Sequence, residues 1–414
     1  MKFFHDDTIP TYWFIVVFGL KLIAGIGLTM LYTYYYTDRS TADIFKYYDD
    51  GKVMFSALKT HPADYFKMLF GFQNDTPYFN TTYYDQMRFW YSEYPTNIFS
   101  DSHIIIRFNA FVQLFSFGHF QVHNVFINFI SLLGLTAIYK TALHFYHDSK
   151  KLLFYCVFLI PSVLFWGSGL LKESIIFLGM GMVLYHAYIL SQKMDWKSVF
   201  MCGIGLVLIC FTKMYILAAF VPAFLGYTIH RHIIKKKAWV AYLFGFSLIF
   251  LACILLASAP LKVNPFQLII AKQHDFIQLL NEVLGNSTFN TPLLESSADI
   301  FMQIPMALLN TFIRPFVWEI NSPLMFMATA ENLDLIFLML FAIYYRKKLP
   351  NVNVILFCLS FVVSLYLIIG LTVPNFGAIV RYKVPAIPFL LIAIVSLIDL
   401  KKIKTNYSFL NRML

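Results

Sequence analysis

Long apolar runs and short polar breaks alternate along the chain, and that alternation predicts its architecture. Apolar runs at about 12–33, 121–146, 152–169, 173–191, 198–212, 215–233, 238–259, 325–345, 352–372 and 384–400 each approach the length a helix needs to cross a bilayer. The breaks between them are of two kinds. Lys150-Lys151, Lys193 with Lys197, His230 to Lys237, Arg346 to Lys348, and Lys401-Lys402 with Lys404 are basic, whereas the others mix acids, bases, glycine and aromatics. Lys and Arg favour the cytoplasmic side of membrane proteins, so ten spans with both termini in the cytoplasm put every strong basic cluster there. The expected fold class is an all-α polytopic membrane protein of about ten transmembrane helices.

The first run, Tyr12 to about Thr33, is too long for a signal-peptide core and is not followed by a small-residue cleavage site, so it is expected to stay as a helix. Lys21 within it is expected to snorkel to the headgroups. A polar extramembrane segment then reaches past Asp101. Residues 1–120 thus read as a first transmembrane helix plus an outer loop with interfacial helices, and 121–414 as a helical bundle with a second outer loop at 260–324. Ala57 to Phe72 has amphipathic spacing, as expected of an interfacial helix, and Gly71 to Pro95 reads as loop. His103 to Phe117 is apolar but short and carries Arg107. It reads as interfacial or re-entrant, because counting it as a span breaks the charge pattern that follows.

Composition agrees. Of 414 residues, 59% are hydrophobic and 13% charged, with a mean hydropathy of +0.66, values that point to a membrane protein. The formal net charge of +10 sits in short clusters between apolar runs, which topology accounts for, and no nucleic-acid partner is expected. The five cysteines all lie in apolar runs without a C-x-x-C, so neither disulfides nor zinc ligands are expected. Walker loops, GxGxxG elements and internal repeats are missing, which argues against a nucleotide cofactor.

The densest candidate chemistry is Tyr34 to Val53, YYYTDRSTADIFKYYDDGKV, just past the first span. A helix starting near Thr41 would put Asp43, Lys46, Tyr47 and Asp50 on one face of about two turns. A carboxylate held there beside a cation and phenols suits general-base work on an acceptor hydroxyl, which makes Asp43, Asp49 and Asp50 catalytic candidates and Tyr47 a substrate-binding one. The bland alternative is a capping box, Ser40-x-x-Asp43. The same acids could hold a divalent cation through oxygen, the one cofactor the sequence suggests. His119 and His123, four residues apart, lack a third metal ligand nearby, and no metal site is assigned.

Other candidates lie at span edges, where ionisable groups are costly. In PSVLFWGSGLLKES, residues 161–174, a turn feeds a helix that begins Lys172-Glu173. Such a helix start attracts anions and Lys172 adds a charge for a phosphate, unless the Lys-Glu pair merely neutralises itself. Arg314, fixed by Pro315, and Arg381, in N-F-G-A-I-V-R-Y-K, offer planar forks to lipid phosphate oxygens. Their alternative partners are ordinary headgroups or Glu319 and Glu331.

The layout of one span, a long loop opening with Asp43-x-x-x-Tyr47 and Asp49-Asp50, and then many spans resembles the GT-C glycosyltransferases. The F-W-G-S-G-L-L-K-E and N-F-G-x-x-x-R-Y-K stretches resemble membrane proteins of bacterial surface-polysaccharide gene clusters. Many GT-C members carry an adjacent acidic pair directly after the first span, where this chain has Ala42-Asp43. The resemblance implies an inverting transferase on the outer face of a bacterial cytoplasmic membrane, with a polyprenyl-phosphate-linked sugar donor and a glycan or lipid acceptor. In that reading Asp43 is the base, Lys172, Arg314 and Arg381 face the lipid phosphate, and Tyr47 and Glu173 orient sugar or acceptor. A polysaccharide polymerase or ligase using a diphosphate-linked oligosaccharide would instead concentrate its decisive residues at 260–324. A lipid-sugar flippase would need a polar route through the midplane, which uncharged spans such as 238–259 do not offer.

Overall fold

The computed structural model describes residues 2–4, 9–36, 38–40, 42–91, 100–258, 264–282, 287–347 and 351–406. Among these the chain is helical, with isolated bridges at Thr288–Asn375 and Arg346–Ile398 and no strand. Among the described residues, seven helical segments are long and apolar enough to cross a membrane: Thr11–Tyr35, Phe120–Leu143, Lys172–Gln192, Ala238–Ser258, Pro323–Tyr344, Val352–Thr372 and Phe376–Leu397. Trp196–Thr212 is also apolar but shorter. The protein is an all-α polytopic membrane protein.

The chain gathers into two compact units. One comprises Met1–Thr141 and Val163–Met214; the other comprises Ala142–Ser162 and Tyr215–Leu414.

The first unit contains α1 (Thr11–Met30), α2 (Asp43–Thr60), α3 (Pro62–Phe70), α4 (Pro77–Thr82), α5 (His103–Ser116), α6 (Phe120–Leu143), α7 (Lys172–Gln192) and α8 (Trp196–Thr212). The amphipathic stretch expected as one helix over 57–72 is divided between α2 and α3. Pro62 disfavours helical backbone at the residue before it, and His61 accordingly leaves the helical region, at φ −139° and ψ 78°. Helix α2 buries Ile44, Tyr47, Tyr48, Gly51, Met54 and Ala57, a stripe at three- and four-residue spacing, against α5. Gly51 permits the close approach, since a Cβ there would lie 2.7 Å from the Asn109 side chain. Tyr84, Trp90, Ile105, Ile106, Leu170 and Ile175 complete this core. Helices α6 and α7 touch backbone to backbone at Gly134 and Gly181, where a Cβ on Gly181 would lie 2.3 Å from the Gly134 carbonyl oxygen.

In the second unit, α9 (Met214–His232), α10 (Ala238–Ser258), α11 (Pro265–Glu282), α12 (Ile304–Phe312), α13 (Pro323–Tyr344), α14 (Val352–Thr372), α15 (Phe376–Tyr382) and α16 (Ile387–Leu397) are arranged around α14, which contacts α10, α11, α12 and α16. The outer loop expected at 260–324 is therefore largely helical, and Leu294, Ile300, Ala307 and Leu371 form its small core. The span expected at 152–169 forms two short helices, Lys150–Phe158 and Pro161–Trp166. Pro161 lacks the N–H that a continuous helix would use there, so the ladder breaks before it.

Candidate active site

Helix α2 begins at Asp43, with Ala42 as its N-cap residue and no side-chain cap. The capping-box alternative fails because Ser40 belongs to a different turn, donating its N–H and Oγ to Asp38 Oδ1 at 2.8 and 2.6 Å. Along the acidic face, Asp43 and Lys46 are half-buried while Tyr47 and Asp50 are buried. The three carboxylates differ in their surroundings. Asp49 forms a salt bridge with Arg39 at 2.8 Å. Asp50 accepts the backbone N–H of Arg88 at Oδ1, 2.9 Å, and of Phe89 at Oδ2, 2.8 Å. Burial raises the Asp50 pKa above the usual carboxylate value against the opposing pull of those two N–H groups. Asp50 thus fastens the loop at 88–89 to α2, and Asp43 stands at the start of that helix, half-buried.

Tyr47 connects this helix to the membrane edge. The Lys172 ammonium lies 5.5 Å from the centre of the Tyr47 ring and forms a 2.6 Å salt bridge with Asp101, whose side chain is 41% exposed. Glu173, the next residue, is fully buried and pairs with Lys213 at 2.8 Å. The Lys172-Glu173 doublet therefore does not neutralise itself; each member pairs with a residue from another segment. Lys172 begins α7 and Lys213 directly follows the last residue of α8, so antiparallel packing of these helices brings them to the same end. Sequence spacing points to neither Asp101 nor Lys213 as a partner of this doublet. A lone lysine between the apolar helices α8 and α9 was the one available signal.

Nearby, His103 stacks on Trp90 with ring centres 3.9 Å apart and donates from Nε2 to the Trp90 carbonyl at 2.7 Å. Burial pushes its pKa down to about 4, which keeps this ring neutral.

Lys21 does not snorkel. Fully buried in α1, it donates to the Gly167 carbonyl at 2.6 Å and to Ser168 Oγ at 3.0 Å. The Gly167 carbonyl also accepts from Ser131 Oγ at 2.7 Å and Ser174 Oγ at 3.1 Å. Three side chains thus hold the turn that leads into Lys172.

Arg314 and Arg381 belong to the second unit. Arg314 pairs with Glu319 at 3.1 Å, and its guanidinium lies 4.6 Å from the ring centre of Phe289 and 5.4 Å from that of Phe316. The salt-bridge alternative named for it is therefore formed. Arg381 is half-buried in the last turn of α15. Two residues on, Lys383 is buried and donates to Asn332 Oδ1, whose own amide donates to the Arg314 carbonyl at 2.8 Å. Glu331 accepts the Ser162 N–H at 2.9 Å.

For a divalent cation, the backbone bonds to Asp50 and the Arg39 pair at Asp49 already engage two of the three acids. Among the described residues no group of three or more His, Cys, Asp or Glu is placed to hold a metal ion. Both ring nitrogens of His123 are hydrogen-bonded, to Asn109 Oδ1 at 2.8 Å and Ser116 Oγ at 3.0 Å.

Compared with known proteins, the chain matches no family model, no curated protein and no solved structure.

Proposed function

We propose that this protein is a membrane glycosyltransferase of GT-C type that moves a sugar from a polyprenyl-phosphate-linked donor to a glycan or lipid acceptor. In this reading the chain crosses the membrane ten times, the broken helix pair at 150–166 counting as one crossing, the site faces outward from a bacterial cytoplasmic membrane, and the product feeds envelope polysaccharide biosynthesis. The observation that supports it best is the contact of Lys172 with Tyr47. It puts a cation at the start of an apolar helix, paired with a partly exposed carboxylate, against the helix that carries Asp43.

The chemistry follows from those groups. Asp43 takes the proton of the acceptor hydroxyl as its oxygen forms a bond to the anomeric carbon. The bond from that carbon to the phosphate oxygen breaks on the opposite side, its electron pair stays on the phosphate, and configuration inverts. Lys172 stabilises the departing phosphate, and Arg314 and Arg381, within the second unit, are separate candidates for binding a lipid phosphate. Tyr47 places Lys172 against α2, and Glu173, buried in its pair with Lys213, holds the start of α7 and does not touch sugar or acceptor. Asp50 holds α2 and the 88–89 loop in register and takes no proton from substrate.

Removing a catalytic base slows transfer by roughly two to four orders of magnitude with donor binding nearly intact. Asp43→Asn keeps the side-chain size but cannot accept a proton. The assay is transfer of radiolabelled sugar from a polyprenyl-phosphate donor by purified protein, with Asp49→Asn and Asp50→Asn in parallel. Near-normal transfer by all three variants would overturn the proposal.

A further inference from the structure

The transferase reading leaves unused a surface hollow in the first unit, between the end of α3 and the start of α4. Asp64, Gln73, Asn74, Asp75, Thr76 and Tyr78 line it. The local sequence explains its shape. Gly71 ends α3 in the left-handed region at φ 70°, Gln73 is left-handed again at φ 48°, and Pro77 opens α4, so the chain reverses sharply and presents successive polar side chains to one rim.

Phe79 lines the hollow, and a stack of rings behind it holds it in place. Phe79 stacks on Tyr84, Tyr84 on Trp90 and Trp90 on His103, with ring centres 6.2, 4.1 and 3.9 Å apart. The polar groups are fixed as well. Asp64 Oδ2 accepts the hydroxyls of Tyr78 at 2.9 Å and Tyr83 at 3.2 Å, and the Asn74 amide donates to Tyr84 at 2.8 Å. Preorganised groups lose little entropy on binding. Gln73, Asp75 and Thr76 stay exposed, as does 47% of Tyr78.

The lining selects the chemistry of the ligand. Asp64 and Asp75 are balanced by Lys67 in the lining and by the Arg107 guanidinium against Gly71, so the hollow favours neither anions nor cations and suits a neutral ligand. Carboxylate, amide and hydroxyl groups together offer both acceptors and donors, matching a ligand whose own groups do both. An exposed phenol ring beside them offers a flat apolar face. Neighbouring hydroxyls on a ring with an apolar C–H face meet all three conditions. We infer that this hollow binds a neutral saccharide segment. In naming that segment as part of the acceptor glycan, the inference rests on the transferase reading; the binding itself does not.

The test uses the full chain in lipid nanodiscs, without sugar-headed detergent, titrated calorimetrically with maltohexaose, cellohexaose, laminarihexaose and chitohexaose. At least one should bind, and Tyr78→Ala and Gln73→Ala should each weaken it about tenfold or more. Both residues are exposed, so the variants should keep the wild-type unfolding temperature, which is measured alongside. Binding of none of the four at millimolar concentration, or binding that ignores both substitutions, overturns the inference. So does binding of inorganic phosphate or calcium ion alone in place of sugar. Saccharide binding by a protein that transfers no sugar would leave the hollow standing and sink the transferase. Transfer whose acceptor KM is unmoved by Tyr78→Ala would leave the transferase standing and overturn the assignment of the segment to the acceptor.

Discussion

Glu173 and Lys213 form an ion pair, 2.8 Å between Oε1 and Nζ, with side chains 0% and 4% exposed. Removing one partner of a buried pair leaves an uncompensated charge, which costs about 3–5 kcal/mol. Lys213→Met and Glu173→Gln are each expected to destabilise the protein strongly, whereas Glu173→Gln with Lys213→Met together should recover much of the loss. Thermal unfolding of the four proteins in one detergent closes the cycle, and additive losses would show that the two charges do not depend on each other.

Asp50 offers a pH test. Asp50→Ala strips the Arg88 and Phe89 amides of their acceptor, a loss of about 3 kcal/mol for two charge-assisted hydrogen bonds, and Asp50→Asn, which keeps one acceptor oxygen, should lose less. Because burial raises the carboxyl pKa, the folded protein holds this proton more tightly than the unfolded chain does. Its contribution is therefore complete below the unfolded carboxyl pKa and is lost as pH rises through the folded value. The difference between wild-type and Asp50→Asn unfolding curves from acidic to neutral pH should carry that downward slope; a flat difference contradicts it.

The contact between α6 and α7 leaves no room for a methyl group. A Cβ on Gly134 would lie 2.2 Å from the Phe177 carbonyl carbon and oxygen, whereas one on Gly203 would meet nothing within 4 Å. Gly134→Ala must spread two helices and should cost about 1–3 kcal/mol or more, while Gly203→Ala should be neutral or stabilise slightly. Equal unfolding temperatures for the two variants would refute this packing.

Arg314 tests whether the second unit itself engages a lipid phosphate. Lysine keeps the charge but loses the planar fork that faces Glu319 and the rings of Phe289 and Phe316. Arg314→Lys is expected to weaken polyprenyl-phosphate binding about tenfold, measured by displacement of a fluorescent lipid phosphate. Unchanged affinity would confine Arg314 to its pair with Glu319.

What the sequence made legible was local. The apolar runs, the start of α2 close to Thr41 and the helix at 103–116 all follow from periodicity and from turn residues within a few positions. The pairings do not. Asp101 and Lys172 are 71 residues apart, Glu173 and Lys213 40, and helix packing, not sequence spacing, joins them. Lys21 shows why: a lysine that snorkels and one that reaches into a neighbouring turn have the same apolar flanks. Pro62 was a readable break, yet the amphipathic rhythm running through it suggested one helix. The discontinuity of the two units, with 142–162 grouped with the later chain, leaves no mark on hydropathy at all.

The hydrogen bonds of Lys21 also bear on how the protein is made. Its acceptors, Gly167 and Ser168, lie 146 and 147 residues downstream, so α1 is synthesised long before they exist. A lysine near the centre of an isolated span carries an insertion penalty of about 2.5–3.5 kcal/mol, which the remaining apolar residues must outweigh until the turn at 167–168 arrives. The first helix is thus expected to reach its final setting only late in biogenesis. Chains truncated before residue 167 should leave a cysteine placed next to Lys21 more reactive to water-soluble reagents than the same cysteine in the full chain, and Lys21→Leu should abolish that difference.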